Sequence, residues 1–362
     1  MGKPISDSMK ISPFLVLFLI TSVQVGVGIL SFQSKVVEHA SYDAWISVII
    51  AGIGVHIIIW IAFKMLRQDQ DIFDIQKELF GKYLGGLFGF IQCLYFLVLS
   101  TIALRLYIEI IQVWMFPHIS ILYLGIFFLI LVYYVINGGF RVVVGICFLG
   151  TVIPIYLLFT LIFPLEFAHF HNLLPVLNHS VKDLMLSSKE MTLSFLGFST
   201  LFIFFPFIKH PKKAHKWAHF GVLFTIVVYV AISMVAFVFY DEEQIKTVIW
   251  PTLGMWKIIE MPFVERFEYI GISSWALVIL PNMTLTLWAS TRGMKRLFRF
   301  NQRKTVIVFL IIVLIANVLI NGHERISLLS EYISRVGFYM VYFYIPFLFI
   351  VYTIYNKVRK SK

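Results

Sequence analysis

The residues of this chain that could do chemistry are the polar and glycine positions set inside its apolar runs. The first long run, 11–33, carries Gln24-Val25-Gly26-Val27-Gly28 at its centre, where a plain membrane anchor would hold Leu, Ile and Val. In hydrocarbon an unpaired backbone group is costly, so a weakened helix centre survives only against protein or a wet cavity. Paired glycines let a helix unwind and offer bare N–H and C=O groups to a ligand. Close helix packing is the alternative, since small residues also let backbones approach. A second run, 188–208, repeats the pattern with Phe195-Leu196-Gly197-Phe198-Ser199-Thr200. Each break would expose two half-helix ends. The N-terminal ends carry partial positive charge and suit a carboxylate, while freed carbonyls suit an ammonium group. The two groups together describe an amino acid.

Other constellations carry less. Arg105 and Glu109 stand four apart, so they share one helix face. Charges inside a membrane are usually paired, which makes them a structural ion pair or a gating, proton-linked pair. Glu265, Arg266 and Glu268 stand where a later run begins, and could cap that helix or dock a partner. The run Pro281-Asn282-Met283-Thr284-Leu285-Thr286 sets a proline and polar groups at mid-membrane, which need partners; bonding back to the preceding turn is one solution. His169-Phe170-His171 lacks convergent carboxylates or cysteines, so no metal site is expected. No nucleophile–base arrangement, phosphate loop or dinucleotide motif is present in the sequence, so neither an enzyme nor a cofactor is expected.

The elements that must position these residues follow from composition. The chain has 362 residues, is 60% hydrophobic and 14% charged, with mean hydropathy +0.88. That is an all-α integral membrane protein. The strands of an outer-membrane barrel would alternate in polarity, and these runs do not. The first run is too long for a cleavable signal peptide and no small-residue cleavage site follows it. Cys93 and Cys147 both lie inside apolar runs and read as small core residues. Ten apolar segments are expected, at 11–33, 41–65, 84–113, 119–137, 142–163, 188–208, 217–240, 267–290, 304–321 and 336–356. Residues 66–83 are mixed in charge, and Ile72, Phe73, Ile75, Leu79 and Phe80 predict a short interfacial helix.

With the N-terminus inside, 21 Lys and Arg fall on the inner side, 8 on the outer side, and Arg105 within a span. This asymmetry predicts both termini in the cytoplasm. It also explains the net charge of +11 as membrane orientation rather than nucleic-acid binding. Segments one and six open two sets of five, about 11–163 and 188–356, within a single polytopic domain spanning 1–362. Five spans per set force opposite topologies on the two sets. Interrupted helices at matching positions of inverted halves point to a midplane substrate site.

The stretch Val25-Gly26-Val27-Gly28-Ile29-Leu30 resembles the opening helix of amino acid–polyamine–organocation transporters. Three further stretches are more specific: Ser194-Phe195-Leu196-Gly197 ahead of a basic loop, Ile245-Lys246-Thr247-Val248-Ile249-Trp250-Pro251-Thr252, and Phe263-Val264-Glu265-Arg266-Phe267-Glu268. Together they resemble the B subunit of bacterial spore germinant receptors, the GerAB/GerKB-like family, over essentially the whole chain. Arg105 and Glu109 match that family's pattern; Ser199 stands where some members carry Glu. The resemblance implies a LeuT-type 5+5 fold. It also implies a nutrient sensor in the spore inner membrane, with A and C subunits as partners and amino acids or other small nutrients as ligands. In folds of this type segment eight lies beside segment one, which adds Asn282 and Thr284 to the candidate contacts. The ligand would sit between segments one, three, six and eight. A proton- or sodium-coupled amino acid transporter is the rival reading. Segment five holds no Lys, Asp or Glu between Val142 and Phe163 that could stand in for a coupling cation.

Overall fold

The computed structural model describes residues 5–262 and 264–360. Phe263, quoted above, lies outside them, as do Lys3 and Lys362, two of the 21 inner cations. The described residues form helices and no strand; two isolated bridges, Ile11–Ile208 and Met261–Val264, are the only extended pairings among them.

In chain order the helices are α1 (Val16–Gln24), α2 (Phe32–Ala40), α3 (Ala44–Met65), α4 (Ile72–Trp114), α5 (Ile121–Asn137), α6 (Phe140–Val152), α7 (Val181–Glu190), α8 (Thr192–Phe195), α9 (Leu201–Phe204), α10 (Pro211–Phe239), α11 (Glu242–Thr247), α12 (Pro251–Lys257), α13 (Phe267–Phe298), α14 (Gln302–Leu319), α15 (His323–Tyr339) and α16 (Ile345–Lys360). Shorter 3-10 stretches extend them: Pro13–Leu15 leads into α1, Ile153–Phe167 continues α6, and a π turn over Met340–Tyr344 joins α15 to α16. The expected segments fall on helical stretches, several of them divided over more than one helix. Among the described residues, seven helices are long and apolar enough to cross a bilayer, and three apolar ones are shorter: Pro13–Gln24, Ile121–Asn137 and Phe198–Phe207. Two of the three short ones are halves of the broken segments.

Local chemistry sets the boundaries. Asp71 caps α4 through a reciprocal box with Asp74, accepting the Asp74 amide at 3.1 Å. Arg296 then binds both carboxylates at 2.7 Å, tying the start of α4 to the end of α13. The predicted interfacial helix is the first part of α4, and Gly81, at φ +74°, bends the chain between it and the span. Asn301 caps α14 by accepting the amide of Arg303 at 3.0 Å. Asp43, before α3, is buried. Its carboxylate accepts the amides of Leu177 at 2.9 Å and Asn178 at 2.8 Å and lies 3.0 Å from His179 Nδ1, which ties the start of α3 to the connection ahead of α7.

The heaviest packing is α4 against α13, with α3 on α10 and α5 on α14 also extensive. In segment numbers these are three on eight, two on seven and four on nine. In these three pairs a segment packs on its counterpart five places along. Segments one and six lie inside this frame, α1 held by α10, α6 and α13.

Candidate functional site

Segment one breaks where its glycines stand. α1 ends at Gln24; Val25 is extended and Gly26 lies at φ −141°, ψ −148° before the helix resumes over Val27–Leu30. A helix end strands its last carbonyls. Two of them are capped from other helices: Asn282 Nδ2 donates to the Val23 carbonyl at 3.2 Å, and Tyr229 Oη donates to the Gln24 carbonyl at 2.9 Å. Segment six breaks differently. α8 stops at Phe195, Gly197 turns the chain at φ +98°, and the helix resumes over Phe198–Thr200.

The two breaks interlock. A Cβ on Gly197 would stand 2.9 Å from Val23 Cβ, and one on Gly28 would stand 2.8 Å from Ser194 Oγ. A Cβ on Gly26 would meet Asn282 Nδ2 at 2.8 Å. Close packing and an opened backbone therefore occur at the same glycines.

Between the breaks lies a pocket with ≈ 490 Å³ of empty space. Of the sequence-derived candidates, Gln24, Gly26, Val27, Gly28, Gly197 and Asn282 line it. Leu99, Ile102, Ala103 and Leu106 of α4 give it an apolar wall, and Val23, Ser194, Leu196 and Thr286 complete it. The lining thus comes from segments one, three, six and eight. It carries no charged side chain. Gln24 is buried, and neither its amide nitrogen nor its amide oxygen has a partner. Leaving such a group unsatisfied costs about 1–3 kcal/mol, a cost that a ligand bearing both donor and acceptor would offset.

The other candidates stand elsewhere. Val25 faces a more apolar cavity on the far side of segment one, beside Ile29, Trp256 and Trp275. Phe195 stacks on Tyr229 with ring centroids 5.4 Å apart. Phe198, Ser199 and Thr200 are buried off the pocket, and both hydroxyls lack partners. Thr284 bonds back to the Pro281 carbonyl at 3.1 Å, the local solution for a hydroxyl in a helix. Ser194 and Thr286 were absent from the candidates, although Thr286 stands four residues after Asn282 and so on its helix face. The α4 wall had no signal, being ordinary apolar residues in an ordinary apolar run.

Arg105 and Glu109 do not form the mutual pair that their spacing suggested. Arg105 Nε donates to the Ile320 carbonyl at 2.7 Å, and Glu109 meets His323 Nδ1 at 2.8 Å. Both partners lie where α14 passes into α15, so the two side chains pin that connection to α4. Arg105 Nη1 and Glu109 Oε2 stay unpaired. Glu109 is about one turn beyond Leu106 and does not line the pocket. Glu268 takes a bond from Arg266 Nε at 2.9 Å at the start of α13, where no side chain caps the helix.

Two approaches to the pocket differ. On one side a polar vestibule with ≈ 1190 Å³ of empty space shares Gly28 and Ser194 with it, and is rimmed by Lys35, Glu38, Lys189, Glu190, Glu331 and Arg335. On the other side the way is shut. Phe140, Phe207 and Trp288 cluster with centroids 4.3–5.2 Å apart. The Ile11 amide donates to the Phe207 carbonyl at 2.8 Å and the Lys209 amide to the Ile11 carbonyl at 2.9 Å. Buried Lys10 adds an ion pair with Asp69 at 3.2 Å.

Comparison with known proteins agrees with this architecture. A family described as "Spore germination protein" matches residues 10–326. The spore germination protein GerQB of Bacillus cereus is 40% identical over 359 residues, covering 99% of this chain and all of the relative. The spore germination protein A2 of Bacillus subtilis is 22% identical, with 94% of each chain covered. Among solved structures, the crystal structure of MhsT in complex with L-phenylalanine aligns with TM-score 0.64 at 13% identity, covering 94% of this chain and 97% of that one. At that identity the likeness shows the fold alone, a LeuT-type helical architecture with interrupted first and sixth segments.

Proposed function

The chain belongs to the spore germination protein family, and from that premise we propose that it is a nutrient-sensing membrane subunit of a spore germination receptor. It binds a small ligand, an amino acid, at mid-membrane between segments one, three, six and eight. The single observation that carries this is the uncharged pocket between two interlocked helix breaks, with Gln24 buried and unpaired in its wall. A zwitterion needs no side-chain counterion where half-helix ends supply both partial charges. The resumed helix at Val27 and Gly28 leaves its first N–H groups without intrahelical acceptors, which suits the carboxylate. Leu99, Ile102 and Leu106 suit a modest apolar side chain. The solved structure with L-phenylalanine bound shows that one protein of this fold accepts an amino acid.

On this reading the chain is one polytopic domain of ten spans in the spore inner membrane. Both termini face the core, as the basic loops require, and the polar vestibule faces outward. Neighbouring A and C subunits complete the receptor, and ligand occupancy is relayed to them. The test is a germination dose–response in spores carrying Gln24→Ala, normalised to subunit abundance. A half-maximal nutrient concentration raised about tenfold is expected for one lost buried hydrogen bond. An unchanged midpoint at normal abundance overturns the proposal.

One observation favours a second reading, a coupled transporter: a vestibule adjoins the pocket at Gly28 and Ser194, and a second open recess lies beyond the aromatic plug on the other side. Liposomes containing the full chain separate the two. Saturable uptake of labelled amino acid, driven by a proton or sodium gradient, marks transport; binding without uptake marks a sensor.

A further inference from the structure

Beyond the aromatic plug, on the side that the charge asymmetry assigns to the interior, lies a strongly basic recess. It holds ≈ 1770 Å³ of empty space, open to the surface. Five cationic side chains line it: Arg141 from the start of α6, Arg292, Lys295 and Arg299 from the end of α13, and Arg303 from the start of α14. Among the described residues no carboxylate lines it. The nearby acids are spent, because Asp71 and Asp74 are both bound to Arg296 at 2.7 Å. None of the five lining cations has an ion pair among the described contacts. Arg292, at the floor, lies over the Phe207 ring at 5.1 Å.

Orientation in the membrane requires only that positive charges be counted on one side. It does not require two separate connections to bring five of them around one concavity. Like charges held close repel, at a cost that a bound anion would offset. The rim adds a second kind of group. Phe298 and Phe300 stack at 5.4 Å and are 46% and 51% exposed. Exposed aromatics beside a basic recess at the end of the spans suit a molecule with an anionic head and apolar chains. Basic pockets between spans on the cytoplasmic side are a known setting for anionic lipid head groups.

We propose that this recess binds the phosphate head group of an anionic phospholipid of the inner leaflet, with its acyl chains over Phe298 and Phe300. Phe207 and Trp288 line the recess as well as forming the plug. A seated head group therefore touches the end of the second broken segment and braces the closed inner side. A free phosphate offers the same charge without the chains.

The experiment is native mass spectrometry of the purified full chain mixed with phosphatidylglycerol or with phosphatidylcholine, with inorganic phosphate as a separate arm. Phosphatidylglycerol should be retained at least tenfold over phosphatidylcholine. The double variant Lys295→Gln/Arg303→Gln alters two exposed side chains. It should lower that retention about thirtyfold, at about 1 kcal/mol per basic residue near an anionic lipid. Lys295→Arg/Arg303→Lys should keep it, and raised salt should weaken it. Equal retention of the two lipids overturns the proposal. So does inorganic phosphate displacing phosphatidylglycerol at millimolar concentration, which would make this a small-anion site. Undiminished retention in the Gln variant, with normal thermal unfolding, overturns it too and leaves the recess to an acidic protein segment.

Discussion

The two broken segments carry the same sequence signature and are built by different physics. Segment one opens over two residues in extended conformation, with Gly26 at a negative φ. It is held open from outside, since Asn282 and Tyr229 cap the carbonyls that the break strands. Segment six opens at a single glycine at φ +98°, a conformation that side-chain-bearing residues rarely adopt. Its following hydroxyls, Ser199 and Thr200, are buried without partners. Segment one gives the pocket Val23, Gln24, Gly26, Val27 and Gly28, whereas segment six gives only Ser194, Leu196 and Gly197. The difference separates a break supported by polar partners, which can face a ligand, from a break supported by backbone freedom, which acts as a bend.

The largest effect should therefore come from Gly197. Valine there meets both the strained φ and the Val23 side chain at 2.9 Å. Strain of about 1–3 kcal/mol adds to an overpacking cost of similar size. Germination response should be abolished in spores carrying Gly197→Val, with abundance on immunoblots reduced by less than the response. Equal loss of both would make segment six a packing element and remove the contrast. Gly28→Ala ranks next. Its Cβ would face Ser194 Oγ at 2.8 Å and the Ser194 Cα at 3.3 Å, so backbone must move and the two breaks part. A half-maximal nutrient concentration raised tenfold or more is expected, the equivalent of about 1.4 kcal/mol.

Much of this arrangement was legible in the sequence. Glycines and polar residues at the centres of runs one and six, the ten apolar segments and the interfacial helix at 72–80 each rest on local signals that hydropathy and spacing report. What was hidden depended on partners far along the chain. The Arg105–Glu109 spacing suggested a mutual pair, yet their partners Ile320 and His323 lie more than 200 residues on, where no periodicity points. Thr284 and Thr286 look alike in sequence. Both hydroxyls bond back to the preceding turn, and only the course of α13 past the breaks decides that Thr286 also lines the pocket while Thr284 does not. Ser199 and Thr200 looked like ligand contacts because hydroxyls near a glycine fit that role. The direction in which the chain leaves Gly197 turns them away.

A smaller effect tests whether segment one is held open as described. Gly26→Ala would push a methyl to within 2.8 Å of Asn282 Nδ2, the end of a side chain that can yield. The cost is then the amide's bond to the Val23 carbonyl, about 0.5–1.5 kcal/mol. A two- to tenfold rise in the half-maximal nutrient concentration is expected. In an Asn282→Ala background the same substitution should add little, because the bond is already gone and coupled residues do not add. Full additivity in this double-mutant cycle would show that Gly26 acts by direct ligand contact instead.

The smallest effect is the most discriminating. Ser199 is fully buried, and its hydroxyl has no partner. An idle buried hydroxyl carries a desolvation cost with nothing set against it, so its removal should be neutral or stabilising by about 1 kcal/mol. Ser199→Ala should then raise or keep the thermal unfolding midpoint of the purified chain and leave the nutrient midpoint where it was. The contrast between the breaks depends on this, because it assigns ligand contact to segment one and bending to segment six. Suppose instead that the hydroxyl meets a bound ligand, or a water or ion that accompanies it. Removing it then strips a hydrogen bond that exists only in the occupied state. Stability of the free chain would still rise or stay level, but nutrient sensitivity would fall by about tenfold. Measured together, the two quantities separate these cases. Unchanged sensitivity with unchanged or higher stability keeps segment six as a bend, whereas a loss of sensitivity alone moves the ligand onto both breaks.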